Sequence, residues 1–210
     1  MFKYVFKQLN EKLKEFMKKV LMIMVAVAAT LLMSFITPDE KLSVDTGASE
    51  LKWTGHHLAK SYSHWGYIGL KSGSVSTDGN KITGGEFVID MNTISNKDLE
   101  KKEDNGKLVG HLKSEDFFAV DKFPEAKLVI KKSTKKSGNT FNTVADLTIR
   151  GITKEITFDT EVKSISKNAV DATAKLRVKR TDFEVMYGWS IENAMLDGEF
   201  DIEVKLVAKK

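Results

Sequence analysis

The sequence predicts an all-β protein, an eight-stranded antiparallel barrel with a short helical crossover between strands three and four. Three observations carry this prediction. From Ser49 onward apolar and polar residues alternate with period two, the pattern of strands with one buried and one wet face, and helical periodicity is nearly absent. Turn chemistry at Thr77-Asp78-Gly79-Asn80, Ser137-Gly138-Asn139 and Gly151 separates the alternating runs. Eight runs with one apolar face each are best satisfied by a sheet closed on itself, which leaves no exposed edge; a two-sheet sandwich is the competing arrangement.

Strand one is Ser49 to His57, with Leu51, Trp53 and Gly55 on its apolar face. Strands two and three, His64 to Ser76 and Asn80 to Met91, flank Asp78-Gly79, where glycine accepts positive φ. Phe87, Ile89 and Met91 share a face opposite Glu86, Val88 and Asp90. Alternation then stops, and Asn92 to Pro124 must cross over by another route. A helical turn is expected within Asn96 to Leu108, and a second short helix or knot over His111 to Phe118, packed across a barrel end. A strand-free connection this long is uncommon in a compact domain and often functional.

Alternation resumes at Ala126, Leu128 and Ile130 and continues through Phe141, Thr143, Ala145, Leu147 and Ile149, giving strands four and five. Past the corner at Gly151, Ile156, Phe158, Thr160 and Val162 mark strand six. Val170, Ala172, Ala174, Leu176 and Val178 mark strand seven, and Phe200, Ile202, Val204 and Leu206 the last.

A barrel of about eight strands is either just filled by its own side chains or encloses one small ligand. Small Gly55, Ala145, Ala172 and Ala174 among bulky inward residues point to unfilled space, the alternative being that larger neighbours fill it. The candidate ligand-lining residues are therefore Trp53, Ile68, Leu70, Phe87 and Ile89 from the first three strands, and Leu128, Ile130, Leu147 and Phe158 from the next three. The last two strands add Ala174, Leu176, Phe200 and Ile202, and the connections that could cover the mouth add Phe118 and Phe183. Each aromatic taken singly reads as core; together they describe an apolar tube with a plug.

Residues 1–37 read as a leader and 38–210 as the barrel. The leader holds six Lys against two Glu, which leaves 27 basic and 27 acidic residues in the body. A neutral body with evenly scattered charge offers no footprint for a nucleic acid backbone. The absence of Cys removes disulfides, thiolate metal sites, a Cys nucleophile and a lipidated Cys anchor. Val20 to Ile36 is apolar except for Thr30 and Ser34 and follows Lys18-Lys19, the pattern of a secretory signal, with Met17 an ordinary start. No small-x-small cleavage site follows it, so an uncleaved inner-membrane anchor is the alternative. Phe2, Phe6, Leu9, Leu13 and Phe16 fall on one helical stripe, read either as an amphipathic helix or as the product of an upstream start codon.

The body resembles the YceI-like family, the lipocalin-like polyisoprenoid-binding proteins of bacterial envelopes, over roughly Val44 to Leu206. The resemblance is carried by His64-x-Gly66, Gly84-Gly85-Glu86-Phe87-Val88-Ile89-Asp90-Met91, the run His111 to Phe118, Phe123-Pro124, the run Leu147 to Lys154, and Arg180-Thr181-Asp182-Phe183. It implies an extended, lipocalin-like barrel around a long apolar tunnel, a bound isoprenoid, quinone-like or fatty amphiphile, and no catalytic residues. The sequence departs from the family in placing Glu184 where glycine is common and in a Trp189-containing insert before the last strand.

The four His are the evident metal-ligand candidates, but His56 and His57 are adjacent and point to opposite faces of a strand, and His64 and His111 lie on separate elements. No metal site and no cofactor is expected. His64, His111 and Arg180 are the candidates for contact with a ligand head group. The structural reading of the two His is hydrogen-bonded support, and that of Arg180 a lock on the crossover through Asp116 or Asp182. Nothing brings Asp116 and Asp182 together or supplies a nucleophile, so an enzyme is not expected. The expected function is a periplasmic binding or carrier protein for a long-chain amphiphilic lipid. The alternative is a structural or stress-response envelope protein with a filled barrel that acts through its surface.

Overall fold

The computed structural model describes residues 13–20, 22, 39–58, 62–186 and 196–210. The chain divides into two units, residues 1–38 and 39–210. In the first, residues 13–20 are helical and expose Leu13, Phe16, Met17 and Val20. The signal-like run falls almost wholly outside the described residues, as do Phe2, Phe6, Leu9 and Trp189. Among the described residues no helix is long and apolar enough to cross a membrane.

The second unit contains strands β1 (Glu40–Val44), β2 (Glu50–His57), β3 (Ser63–Thr77), β4 (Ile82–Asp90), β5 (Glu125–Ser137), β6 (Thr140–Ile149), β7 (Ile152–Ile165), β8 (Ala169–Lys179) and β9 (Leu196–Lys209). Each of β2 to β9 pairs antiparallel with its sequence neighbour, and β9 pairs back onto β2, closing an eight-membered up-and-down barrel. β1 occupies the same ring position as β2, end to end with it. It pairs with β3 through Leu42↔Val75 and with β9 through Val44↔Ala208, where β2 does not reach. The expected first strand is thus extended by one more, interrupted at residues 45–49. Five residues with two apolar positions carry too little periodicity to be seen in the sequence, and only the space left between β3 and β9 makes a strand of them.

The turns obey local chemistry. The Asp78 side chain accepts from the N–H groups of Asn80 (2.8 Å) and Lys81 (3.0 Å), and Gly79 takes φ +93°. Arg150 and Gly151, both at positive φ between paired Ile149 and Ile152, make the two-residue corner of β6 and β7.

The crossover differs from expectation in one respect. A single helix α1 (Lys102–Lys113) replaces the helical turn and separate second helix, and irregular turns run from Ser114 to Phe123. Its N-terminal approach is clamped to β3: the Ser95 and Lys97 N–H groups donate to the carbonyls of Tyr67 and Trp65, both at 2.9 Å. The crossover, the β2–β3 connection, the Arg150-Gly151 corner and a 3-10 turn at Arg180–Phe183 all lie at one barrel end. The opposite end is filled by Leu42, Val75, Ile82, Val170 and Ala208, none more than 2% exposed.

The wall is not equally zipped throughout. Pairing of β7 with β8 runs from Ile165↔Val170 to Asp159↔Lys175. Beyond it, residues 152–158 pair with β6 alone and residues 176–179 with β9 alone. The barrel therefore has a seam between β7 and β8 at the crossover end.

Candidate functional site

Inside the barrel, between the filled end and the crossover, lies a cavity of about 210 Å³. A single water needs about 10–15 Å³ of such space, so the interior is more than ten times a one-water void and is not a packing defect. The small residues explain it: Gly55, Ala172 and Ala174 form part of the wall where larger side chains would meet. Ala145, the fourth small residue, is fully buried but off the wall.

The wall is built by the inward alternation of every ring strand. Trp53 on β2, Ile68 and Leu70 on β3, and Phe87 and Ile89 on β4 line it. Leu128 and Ile130 on β5, Leu147 on β6 and Phe158 on β7 follow, then Ala174 and Leu176 on β8, and Phe200 and Ile202 on β9. Phe118 caps the cavity from the crossover, with its ring edge-on to Phe200 at 6.3 Å.

Three proposed positions lie elsewhere. Phe183 is 1% exposed and packs in the core beside Val185 without reaching the cavity. His64 is off the wall; its Nδ1 lies 2.7 Å from the Asp98 carboxylate. His111 is off the wall as well, its ring packed 5.5 Å from that of Phe117. Burial lowers the His111 pKa against the opposing pull of Asp116, which favours the neutral ring.

Arg180 does reach the wall and is 5% exposed. Among the described residues its hydrogen bonds run to carbonyls and not to the expected Asp116 or Asp182: Nε donates to the Asp197 carbonyl at 2.8 Å and Nη1 to the Val185 carbonyl at 3.0 Å, and the Asp197 carboxylate favours the charged guanidinium. Asp182 instead lies 3.5 Å from Lys179 Nζ. Arg180 thus ties its own turn to the start of β9.

Several wall residues were not singled out in the sequence. Ile94 and Leu112 come from the crossover, where no alternation marks an inner face, beside Phe117, one of the aromatics expected to cover the mouth. His56 reaches the wall next to Gly55 because a bulge between Gly55 and His57 breaks the alternation there. Its ring is held between Asp201 and Ser63, both at 2.9 Å. Asp197 and Glu199 also border the cavity, at the start of β9. The deeper wall carries the hydroxyl of Thr160, bonded to buried Thr143 at 2.9 Å. Among the described residues no three His, Asp or Glu side chains converge as a metal site.

Most of the markers that carry the family resemblance meet at the crossover end, while Gly84-Gly85 lies toward the filled end beside Ser76 and Val75. The Ser95 carbonyl accepts from Trp53 Nε1 at 2.9 Å and sits where a β-carbon on residue 66 would stand, which explains the glycine of His64-x-Gly66. Asp98 receives the Trp65 N–H at 2.8 Å along with the His64 ring and the Asn96 amide. Burial alone would raise the Asp98 carboxyl, but these donors outweigh it and hold its pKa below the ordinary value. Arg150 Nη1 donates to the carbonyls of Phe117 and Glu184, joining the β6–β7 corner to both the crossover and the 3-10 turn.

The YceI-like domain family matches residues 42–208. A UPF0312 protein of Staphylococcus aureus strain MRSA252 is 46% identical over 63 residues, 30% of this chain and 34% of that protein, so the match spans about a third of the curated relative. Among solved structures, BcnA of Burkholderia cenocepacia superposes with a TM-score of 0.63 at 23% identity, over 79% of this chain and 99% of that one. A polyisoprenoid binding domain from Saccharophagus degradans superposes with a TM-score of 0.58 at 15% identity, over 80% and 97%. These likenesses establish the same fold. With the match across nearly all of the barrel, the chain belongs to the YceI-like family.

Proposed function

We propose that this protein is a non-catalytic periplasmic carrier or buffer for a long-chain amphiphile of isoprenoid or quinone-like type, held in the barrel cavity. The observation that carries this reading is the apolar cavity of about 210 Å³, capped by the crossover and closed at the far end. Burial of a methylene is worth about 0.8 kcal/mol, so about ten such groups supply some 8 kcal/mol, the free energy of a micromolar complex. Affinity of this kind needs no sharp polar anchor. The wall chemistry fits a hydrocarbon whose polar end points toward Arg180, Asp197 and His56. The likeness to a domain described as polyisoprenoid binding supports the same ligand class. Export is supported by the basic and apolar leader.

Solvent extraction of the purified full chain followed by mass spectrometry tests the ligand. A long-chain prenyl or fatty amphiphile at near-stoichiometric amount is the expected result. A protein that yields none, and takes up none of a panel of prenyl and fatty compounds, rules the reading out. Fractionation of cells carrying a periplasm-dependent reporter fused after Lys210 tests the compartment.

A further inference from the structure

Among the described residues of the barrel unit, four large hydrophobic side chains are strongly exposed: Leu58 (65%), Tyr62 (44%), Met186 (42%) and Val129 (41%). Val129 stands alone on the outer face of β5. The other three lie at the crossover end, on the β2–β3 connection and just past the Arg180–Phe183 turn. These connections belong to β8, β9, β2 and β3, four consecutive ring members.

The same sector is where the cavity meets polar rim residues, His56, Asp197 and Glu199. It also adjoins the seam between β7 and β8. Phe158, Leu176 and Val178 line the cavity along that seam, and the buried pair Phe183 and Val185 packs beside it. Met186 follows Val185 directly in the chain, so it lies one residue beyond this pair.

The charge at this end selects among apolar partners. Residues 91–124 carry seven carboxylates against six Lys; Asp182, Glu184, Asp197 and Glu199 are matched by Arg150, Arg177, Lys179 and Arg180, and Lys60 stands in sequence between Leu58 and Tyr62, so the charges of this end balance. A cationic footprint for anionic head groups is absent from these residues, so attraction must come from the apolar side chains themselves. Three protruding side chains are too few for the core of a stable protein interface, but they suit shallow insertion among lipid head groups, where Tyr is favoured.

We propose that the rim formed by Leu58, Tyr62 and Met186 docks reversibly on the surface of a neutral lipid bilayer, placing the β7–β8 seam against it for lipid exchange. The proposal rests on the lipid-carrier reading for its purpose, but the docking can be measured without it. The chain has no Cys, so single reporters can be placed at Leu58→Cys, at Met186→Cys and, as a control at the opposite end, at Asn139→Cys. The full-length chain, labelled with an environment-sensitive fluorophore, is mixed with phosphatidylcholine vesicles containing a bilayer-embedded quencher. Quenching several-fold stronger at 58 and 186 than at 139 is expected, with no strengthening when phosphatidylglycerol is added. Equal quenching at all three positions, or stronger quenching at 139, overturns the docking surface. Quenching at 58 and 186 that grows several-fold with phosphatidylglycerol overturns the neutral-surface assignment. Lipid content of the same samples is read separately by extraction. An empty cavity with intact rim quenching defeats the carrier reading and leaves the docking standing.

Discussion

The carbonyl oxygen of Ser95 lies 1.8 Å from where a β-carbon on Gly66 would stand, so the crossover is seated directly on the backbone of β3. The position is open to glycine alone because the intruding atom is backbone and cannot rotate away. Gly66→Ala should displace the Ser95 carbonyl from both β3 and Trp53 Nε1. The expected cost is about 3 kcal/mol, the upper end of what overpacking does in a core. Chemical unfolding checks it, and a change below about 0.5 kcal/mol would contradict the seating.

Ala174 faces the cavity from β8 at a point where the wall is short of side-chain volume. Ala174→Phe should put its ring into existing space rather than into packed neighbours. Ligand occupancy, read by extraction and mass spectrometry, should fall strongly while stability changes by less than about 1.5 kcal/mol. Undiminished loading would remove Ala174 from the path of the ligand.

Glu184 caps the 3-10 turn in the left-handed region, at φ 56° and ψ 27°. A residue with a β-carbon pays about 1–2 kcal/mol for that conformation, whereas glycine adopts it freely. Glu184→Gly keeps the carbonyl that Arg150 holds and should raise thermal stability, by up to about 1 kcal/mol after the added flexibility of the unfolded chain.

Acid should loosen the crossover. Asp98 has a lowered pKa in the fold, so its contribution is complete above the ordinary value of 3.8 and disappears as pH falls through the folded value. His111 is likewise lowered, so the fold binds fewer protons at this ring than the unfolded chain does, and stability declines as pH drops below 6.5. Urea unfolding between neutral pH and pH 3 should show falling stability. Asp98→Asn should flatten the limb below about pH 4 and His111→Gln the limb below about pH 6.5. Parallel curves for wild type and both variants would refute the assignment.

The period-two alternation was enough to place every ring strand and nearly all of the proposed wall, because a strand's two faces are fixed by the backbone whatever its neighbours are. Trp53, Phe87, Leu147 and Ala174 could therefore be placed inward from sequence alone. Alternation has no force where the backbone is irregular. That is why Ile94 and Leu112 were not singled out, and why His56 next to a bulge was not seen on the wall. Phe183 was aromatic and at the right end, yet the turn that carries it packs it beside the wall rather than into the cavity.

The sequence by itself determined the strand pattern, the turns, the closed antiparallel barrel and the motifs of the YceI-like family, all of which follow from local backbone preference and the two faces of a strand. The tertiary structure decided what depends on where distant segments meet. It made a strand of Glu40–Val44, turned Arg180 onto the carbonyls of Asp197 and Val185, joined His64 to Asp98 across 34 positions of chain, and left β7 and β8 apart at one end. Volume inside a closed wall is a sum over all strands at once, so the small residues could point to unfilled space, but its size and its wall came into view only when the barrel was closed.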